Sequence, residues 1–176
     1  MNRRNSESLK SKRKRHSTSS GKMHISSKYM PSWLSALDKA RVQENISSAR
    51  RAYPYAFIDR VPVPSYISRR SRHIHKAEMI YGKSFDELLK KVPLCSKDLQ
   101  DEILAKGRGA YYSSGSRPNQ TSTSWARARF ASAISGGPAA IIDKKIILRH
   151  CAKNSLPVQK LRQRLNERSP SKSTFF

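Results

Sequence analysis

Residues 84–107, SFDELLKKVPLCSKDLQDEILAKG, decide the fold class of this chain. Ser84 and Glu87 have the spacing of a capping box, in which each side chain bonds the other's backbone N–H at a helix start. The apolar residues that follow recur every three or four positions, which is the period of one buried helical face. Pro93 is expected to stop the first helix and Gly107 to end the second. The stretch therefore predicts two short helices at the start of a folded core.

Further helices are expected downstream, over residues 122–135, over residues 143–152 and from residue 155 onward. In the last of them Val158, Leu161 and Leu165 share an apolar face. No clear run alternates apolar and polar residues, although a strand at residues 139–142 stays an alternative. The predicted fold class is mainly α, a small bundle of short helices with long extended basic arms.

The chain has 176 residues, with 36 Lys and Arg against 12 Asp and Glu, and a net charge of +24. No apolar run approaches the roughly 20 residues of a membrane helix, and none follows the N-terminal charges as in a signal peptide. Cys95 and Cys151, 56 positions apart, match neither a disulfide-stapled mini-protein nor a metal-ligand pair. A reducing, intracellular setting is expected, with Cys151 packed in the core. The charge calls for a polyanionic or acidic partner.

Charge divides the chain into four parts. Residues 1–30 hold nine Lys and Arg against one acid, whereas residues 81–106 hold five of each. The predicted parts are a basic arm (1–30), a short helix with a connector (31–65), a small helical domain (66–167) and a tail (168–176). The arm is too poor in apolar residues to fold alone, so it is disordered or ordered by assembly. Its KSKRKR cluster fits nuclear import or phosphate binding, and a purely solubilising tail is the alternative.

The second part combines a helix and an extended segment. A helix starting near Pro31 is expected, with Trp33, Leu37 and Ala40 on one face. Residues 53–65, called the connector below, hold three prolines among aromatic and β-branched residues. Proline removes backbone donors and disfavours helix before it, so the connector should be extended. It is expected either to cross a neighbouring subunit or to wrap on its own core.

Residues 106–125, KGRGAYYSSGSRPNQTSTSW, are predicted to be a loop that forms hydrogen bonds. Its glycines allow close backbone approach, and Arg108 and Arg117 supply fixed charge. Tyr111 and Tyr112 are suited to stacking on bases or to anchoring in a core. The loop is expected to bind a phosphate or an acidic protein surface. The alternative is an ordered loop whose Ser and Thr side chains cap neighbouring helices.

Two motifs in this region, GRGAYYSSGSRPNQT at residues 107–121 and SWARAR at residues 124–129, carry a family resemblance. With the turn at Gly136–Asp143, they resemble an uncharacterised domain family of large double-stranded DNA viruses of algae and amoebae and of some phages. The resemblance covers roughly residues 80–152, and the basic arm lies outside it. It implies a viral gene product that is a candidate component of the particle. It carries over no catalytic residue, because no function is established for that family.

The spacing of residues in the sequence does not indicate a catalytic site. His73 and His75 have the His-x-His form of metal-dependent nicking enzymes, but no third ligand accompanies them. His150 and Cys151 are adjacent, so their side chains diverge on a helix and make a poor dyad. No Ser-His-Asp arrangement follows from spacing. We therefore predict a protein that is not an enzyme and has no catalytic residue, metal site, cofactor or small-molecule substrate.

The charge pattern and the resemblance predict a non-enzymatic structural component of a large assembly, most specifically a minor capsid protein of a large double-stranded DNA virus. It would bridge coat proteins, contact nucleic acid through its basic arms, and occur in the virion and in the host nucleus or cytoplasm. The alternatives are a basic protein that condenses nucleic acid and a ribosomal protein. Candidate partner-binding residues are Lys10, Lys12, Arg13, Lys14, Arg15, Arg108, Tyr111, Tyr112, Arg117, Arg127 and Arg129.

Overall fold

A computed structural model describes residues 25, 30–66, 69–114 and 119–167. In these residues the helices are α1 (Ala36–Ala52), α2 (Arg72–Tyr81), α3 (Phe85–Lys90), α4 (Asp98–Ser114), α5 (Ser122–Ile134), α6 (Pro138–Ile142), α7 (Lys144–His150) and α8 (Leu156–Asn166). The described ranges contain no strand, which confirms the predicted class, a mainly α bundle of short helices. No helix in them is both long and apolar enough to span a bilayer.

The main core forms around α5, which packs against α4, α2, α6 and α8. The capping box predicted at Ser84 and Glu87 is present and starts α3. Burial of apolar area drives the assembly of these short helices, which would be marginal alone. The buried core residues include Phe85, Leu88, Leu99, Ile103, Phe130, Ile134, Ile147, Val158 and Leu161. The apolar faces predicted for the α3, α4 and α8 sequences are therefore largely confirmed.

Helix α4 does not end at Gly107 but continues to Ser114, so the predicted loop over residues 106–125 is wrong for its first half. Gly107 is buried against α5, and a Cβ there would lie 2.6 Å from Cα of Ala126. The glycine therefore permits close helix packing instead of terminating the helix. The second half of the predicted loop contains the N-cap of α5, Thr121, which forms a capping box with Ser124.

The C-terminal third differs from prediction in two details. Residues 139–142, for which a strand was an alternative, lie in the short helix α6, which begins with Pro138 at a position that needs no backbone donor. In α8, Val158 and Leu161 are buried as predicted, but Leu165 is 38% exposed. Leu165 lies in the last turn of α8, close to the end of the described residues.

The two cysteines form a disulfide, Cys95–Cys151, so the expectation that they are not bonded is wrong. The predicted packing of a half-buried Cys151 against the core is confirmed. The segments that carry them meet as an isolated antiparallel bridge. Ser96 N donates to His150 O at 2.8 Å, and Ala152 N donates to Leu94 O at 2.9 Å. The bridge joins the segment before α4 to the end of α7.

A second, smaller core lies under α1. It gathers Ile25, Leu34, Val42, Ile46 and Val63, with Met30, Tyr66 and Trp125 partly buried against it. The helix begins after Ser35, whose hydroxyl accepts from Asp38 N at 3.1 Å. The helix start predicted near Pro31 is wrong, so Trp33 lies before α1 and does not share a helical face with Leu37 and Ala40. All three residues are exposed. Trp33 instead stacks on Tyr66, with ring centroids 5.4 Å apart.

Candidate functional site

The connector has turns at residues 53–55 and 64–65, so the predicted extended backbone is limited to residues 56–63. It contacts Asn45 of α1, Tyr111 of α4 and Asn119 before α5. Val63 is buried in the second core, whereas the side chains of Tyr55, Phe57 and Val61 are exposed. Over residues 57–61 the exposed side chains of Phe57, Asp59 and Val61 alternate with the half-buried side chains of Ile58 and Arg60, as extended backbone requires. Val63 does not continue this alternation, since it follows Pro62 with the parity of the exposed residues and is nevertheless buried. One side of the connector is therefore attached to this chain's own core, and the other side faces outward.

Asn119 attaches the connector at its C-terminal end. Its side-chain oxygen accepts from Val63 N at 2.7 Å, and its amide nitrogen donates to Val63 O at 3.0 Å and to Tyr66 O at 2.9 Å. Asn119 has a positive φ of 56°, a conformation that asparagine tolerates better than most residues. The amide thus supplies the backbone of an extended segment with the bonds that a neighbouring strand would make.

Tyr111 attaches the middle of the connector. Its hydroxyl accepts from Arg60 N at 2.9 Å and donates to Gln120 O at 3.0 Å. The Arg60 guanidinium lies 4.9 Å from the Tyr111 ring centroid and donates to Tyr111 O at 2.8 Å. Burial raises the pKa of Tyr111 and lowers the pKa of Arg60. Tyr111 is therefore an anchor in a core, one of the two roles predicted for it, and is not accessible to a base.

The outward side of the connector carries an aromatic cluster. Phe57 packs edge-on against Tyr53 and Tyr112, with centroids 6.0 and 5.0 Å away. Tyr55 is 95% exposed and Phe57 is 63% exposed. The Tyr112 hydroxyl donates to Asp59 Oδ1 at 3.3 Å. We call Tyr53, Tyr55, Phe57 and Tyr112 the aromatic surface, in which Tyr55 and Phe57 are exposed and Tyr53 and Tyr112 are half-buried.

Arg129, a predicted partner-binding cation, is instead part of a buried ion cluster. Its Nε and Nη2 donate to the two carboxylate oxygens of Asp143 at 2.8 and 2.7 Å. Lys106 Nζ lies 2.7 Å from the same carboxylate, whose side chain is fully buried. A bidentate pair of this kind fixes α5 relative to α7 and engages the guanidinium of Arg129 within the fold.

The other cations predicted to bind a partner differ in where they lie in the structure. Arg127 pairs with Asp86 at 2.6 Å and lies 5.1 Å from the Phe85 ring centroid, so it also serves the fold. Arg108 is exposed on α4 and stays a candidate for partner binding. Arg117 and the cluster Lys10, Lys12, Arg13, Lys14 and Arg15 lie outside the described residues. Tyr111 thus holds the connector, whereas Arg127 and Arg129 form ion pairs elsewhere in the fold.

Sequence reasoning did not foresee the cluster of Ser96, Glu102 and His150. His150 Nε2 lies 2.9 Å from Glu102 Oε1, and its Nδ1 lies 3.2 Å from Ser96 Oγ. The hydrogen bond to His150 and the nearby Arg149 charge lower the pKa of Glu102. Glu102 also accepts from Arg149 at 3.2 Å, so its carboxylate is shared. We interpret the cluster as a tie between α4 and α7 beside the disulfide. No local signal marks it, because His150 is 54 positions from Ser96 and 48 from Glu102.

His73 and His75 lie on α2, where residues two positions apart point to different sides of the helix. Within the described ranges, no group of three or more His, Cys, Asp or Glu side chains is placed to hold a metal ion.

No protein-family model, curated protein or solved structure matches this chain. The viral family resemblance carried by residues 107–129 therefore stays a prediction.

Proposed function

We propose that this chain is a non-enzymatic structural component of a large assembly, specifically a minor capsid protein of a large double-stranded DNA virus. In this role it is located in the virion and bridges coat proteins through the aromatic surface. Its basic arms supply contacts to nucleic acid.

The observation that carries the proposal is the two-sided connector. Asn119 and Tyr111 hold its inner side, so the ordering entropy of the segment is already lost before a partner arrives. Its outer side presents Tyr55 and Phe57, and rigid exposed aromatics are the residues that most often dominate protein interfaces. A preorganised adhesive segment suits a protein that joins neighbouring subunits.

A second candidate, a basic protein that condenses nucleic acid, is favoured by charge alone. Residues 1–30 carry nine Lys and Arg against one acid, which fits sequence-independent phosphate contact. This function does not require an exposed aromatic surface, so the partner that Tyr55 contacts distinguishes the two proposals.

A photo-reactive phenylalanine analogue at Tyr55, in particles of the encoding virus, tests the proposal. The matched control is the same analogue at Met79, which is 72% exposed on α2. We expect a cross-link from position 55 to a coat protein and none from position 79. Absence of the chain from purified particles, or a cross-link from position 55 to nucleic acid, would overturn the proposal.

Paired substitutions measure how much the aromatic surface contributes. Tyr55→Ser with Phe57→Ser should lower incorporation into particles by about tenfold or more, because interface hot spots each contribute about 2 kcal/mol or more. Met79→Ser with Leu148→Ser removes comparable exposed apolar side chains elsewhere and should leave incorporation unchanged. Equal losses in the two variants would contradict the assignment of the interface to the aromatic surface.

A further inference from the structure

The α3–α4 junction carries a group of lysines around two neighbouring depressions. One depression, of about 220 Å³, is lined by Lys90, Lys91 and Lys97 among others. The second, of about 370 Å³, is lined by Lys83, Lys90 and Lys91 with Glu87 and Pro93. Lys90 and Lys91 line both depressions, and we call the surface formed by Lys83, Lys90, Lys91 and Lys97 the lysine trough.

The acids near the trough are mostly engaged elsewhere. The carboxylate of Glu87 accepts from Ser84 N at 2.9 Å and from Ser84 Oγ at 2.8 Å. Asp86 pairs with Arg127, and Glu78 pairs with Arg70. All four lysines are exposed, and none has a salt bridge among the described residues.

Glu87 is the one acid that lines the trough, and hydrogen bonds from Ser84 lower its pKa, so it is ionised near neutral pH. Asp98 and Asp101, on the first turn of α4, line neither depression. The two depressions are thus lined by four lysines and one carboxylate.

We propose that the lysine trough binds the phosphate backbone of nucleic acid. Lysine ammonium groups act as compact point charges that bind phosphate oxygens without the planar, bidentate match that arginine offers to carboxylates. The trough is shallow and open and has no exposed aromatic in its lining, which suits backbone contact and not base readout. The folded body thus contacts nucleic acid itself, on a surface distinct from the connector that we assign to coat proteins.

The test uses the full chain and a fluorescent 20-base-pair duplex DNA. In the trough variant, Lys83, Lys90, Lys91 and Lys97 are all replaced by Gln. In the control variant, the exposed lysines Lys76, Lys144, Lys145 and Lys153 are replaced by Gln, which removes the same net charge. The dissociation constant is measured between 50 and 200 mM salt, and the slope of log K against log salt is compared.

We expect the trough variant to reduce the slope by about 3.6, which is roughly 0.9 for each phosphate contact, and the control variant by less than about 1. In the unmodified chain, DNA should also protect the four trough lysines from acetylation more than it protects the control lysines. This second measurement needs no substitution, so it stands even if a variant folds poorly.

Three results would overturn the inference. Equal slope changes in the two variants would mean that the lysines contribute net charge only. An unchanged slope in the trough variant would mean that they do not contact DNA. Poly-glutamate serves as a second probe, a mimic of an acidic protein. If the trough variant lost binding to poly-glutamate and kept its DNA binding, the trough would be assigned to an acidic protein. None of these results depends on the Tyr55 cross-link, so this inference and the capsid proposal fail separately.

Discussion

Asn119 binds both backbone polar groups of Val63, accepting from its N–H at 2.7 Å and donating to its carbonyl oxygen at 3.0 Å. The two residues are 56 positions apart, so this contact closes the connector onto the start of α5. It is the attachment that keeps the outer side of the connector exposed.

Asn119→Gly should therefore release the connector. Glycine accepts the positive φ at this position, so the substitution removes the side-chain hydrogen bonds without adding backbone strain. We expect the free energy of unfolding to fall by about 1–3 kcal/mol, because backbone groups of Val63 and Tyr66 lose their partners. Limited proteolysis within the connector should accelerate. Asn154→Gly, at an exposed turn residue, is the control, and equal effects would contradict the assigned role.

Arg129→Met should be strongly destabilising, because it leaves the buried carboxylate of Asp143 with Lys106 alone. Removing one partner of a buried ion pair typically costs about 3–5 kcal/mol. Arg127→Met breaks the exposed pair with Asp86 and should cost about 1 kcal/mol or less. Urea denaturation of the two variants gives the comparison. Similar losses in both would show that Asp143 is not desolvated as the structure has it.

Two glycines of α4 should respond in opposite directions to alanine. At Gly107 a Cβ would lie 2.6 Å from Cα of Ala126, so Gly107→Ala should lower the free energy of unfolding by about 1–3 kcal/mol. At Gly109 the nearest atom is Tyr53 Oη at 3.8 Å, so Gly109→Ala should raise it by about 0.5–1 kcal/mol through helix propensity. Thermal unfolding distinguishes them, and a stabilising Gly107→Ala would refute the close packing of α4 on α5.

Reduction of Cys95–Cys151 should lower stability by about 2–4 kcal/mol, because the bond closes a long loop in the unfolded chain. Thermal unfolding with and without dithiothreitol measures this effect. The Cys95→Ser, Cys151→Ser double variant should show the lower stability in both conditions. If the reductant does not change the midpoint of the unmodified chain, the two cysteines are not bonded in solution.

The contacts of Glu102 with His150 and Arg149 should be measurable as a lowered pKa of its carboxyl. The hydrogen bond to His150, aided by the charge of Arg149, lowers the pKa of this carboxyl below its usual 4.5. A lowered carboxylate pKa contributes stability that is present above the unfolded value and is lost as pH falls through the folded value. His150→Ala should raise the pKa of Glu102, measured by NMR, and move acid unfolding to higher pH.

The control for the Glu102 prediction is Asp38, whose pKa is lowered chiefly by a hydrogen bond from the Ser65 hydroxyl. Ser65→Ala should raise the pKa of Asp38 and leave Glu102 unchanged. An unchanged pKa of Glu102 in His150→Ala would contradict the His150–Glu102 contact.

Features set by neighbouring residues were predictable from the sequence. The capping box of Ser84 and Glu87 involves residues three positions apart, and the buried stripe of Leu99 and Ile103 repeats at one helical turn. The end of α4 was not predictable, because Gly107 has the composition of a helix stop while its contact with Ala126 makes it a packing residue. Tertiary contact overrides local preference there.

Only the amino-acid composition of the candidate site, and not its contacts, could be used to predict it from the sequence. The prolines of the connector indicated an extended segment. Its attachment, however, joins Val63 to Asn119 and Arg60 to Tyr111, pairs of residues that are more than fifty positions apart. The Arg129–Asp143 pair shows the same limit. Both residues carry charge, and only the fold decides that they bind each other instead of a partner.

The Cys95–Cys151 bond also has a topological consequence. It closes a covalent ring that contains α4, α5, α6 and α7, and the buried Arg129–Asp143 pair lies within that ring. A single peptide-bond cut between the two cysteines would open the backbone without separating the pieces. A cut in the connector, which lies outside the ring, would detach α1 from everything after it. After cleavage within the ring the two pieces stay joined by the disulfide. After cleavage of the connector, which we assign to subunit contact, no covalent bond joins the pieces.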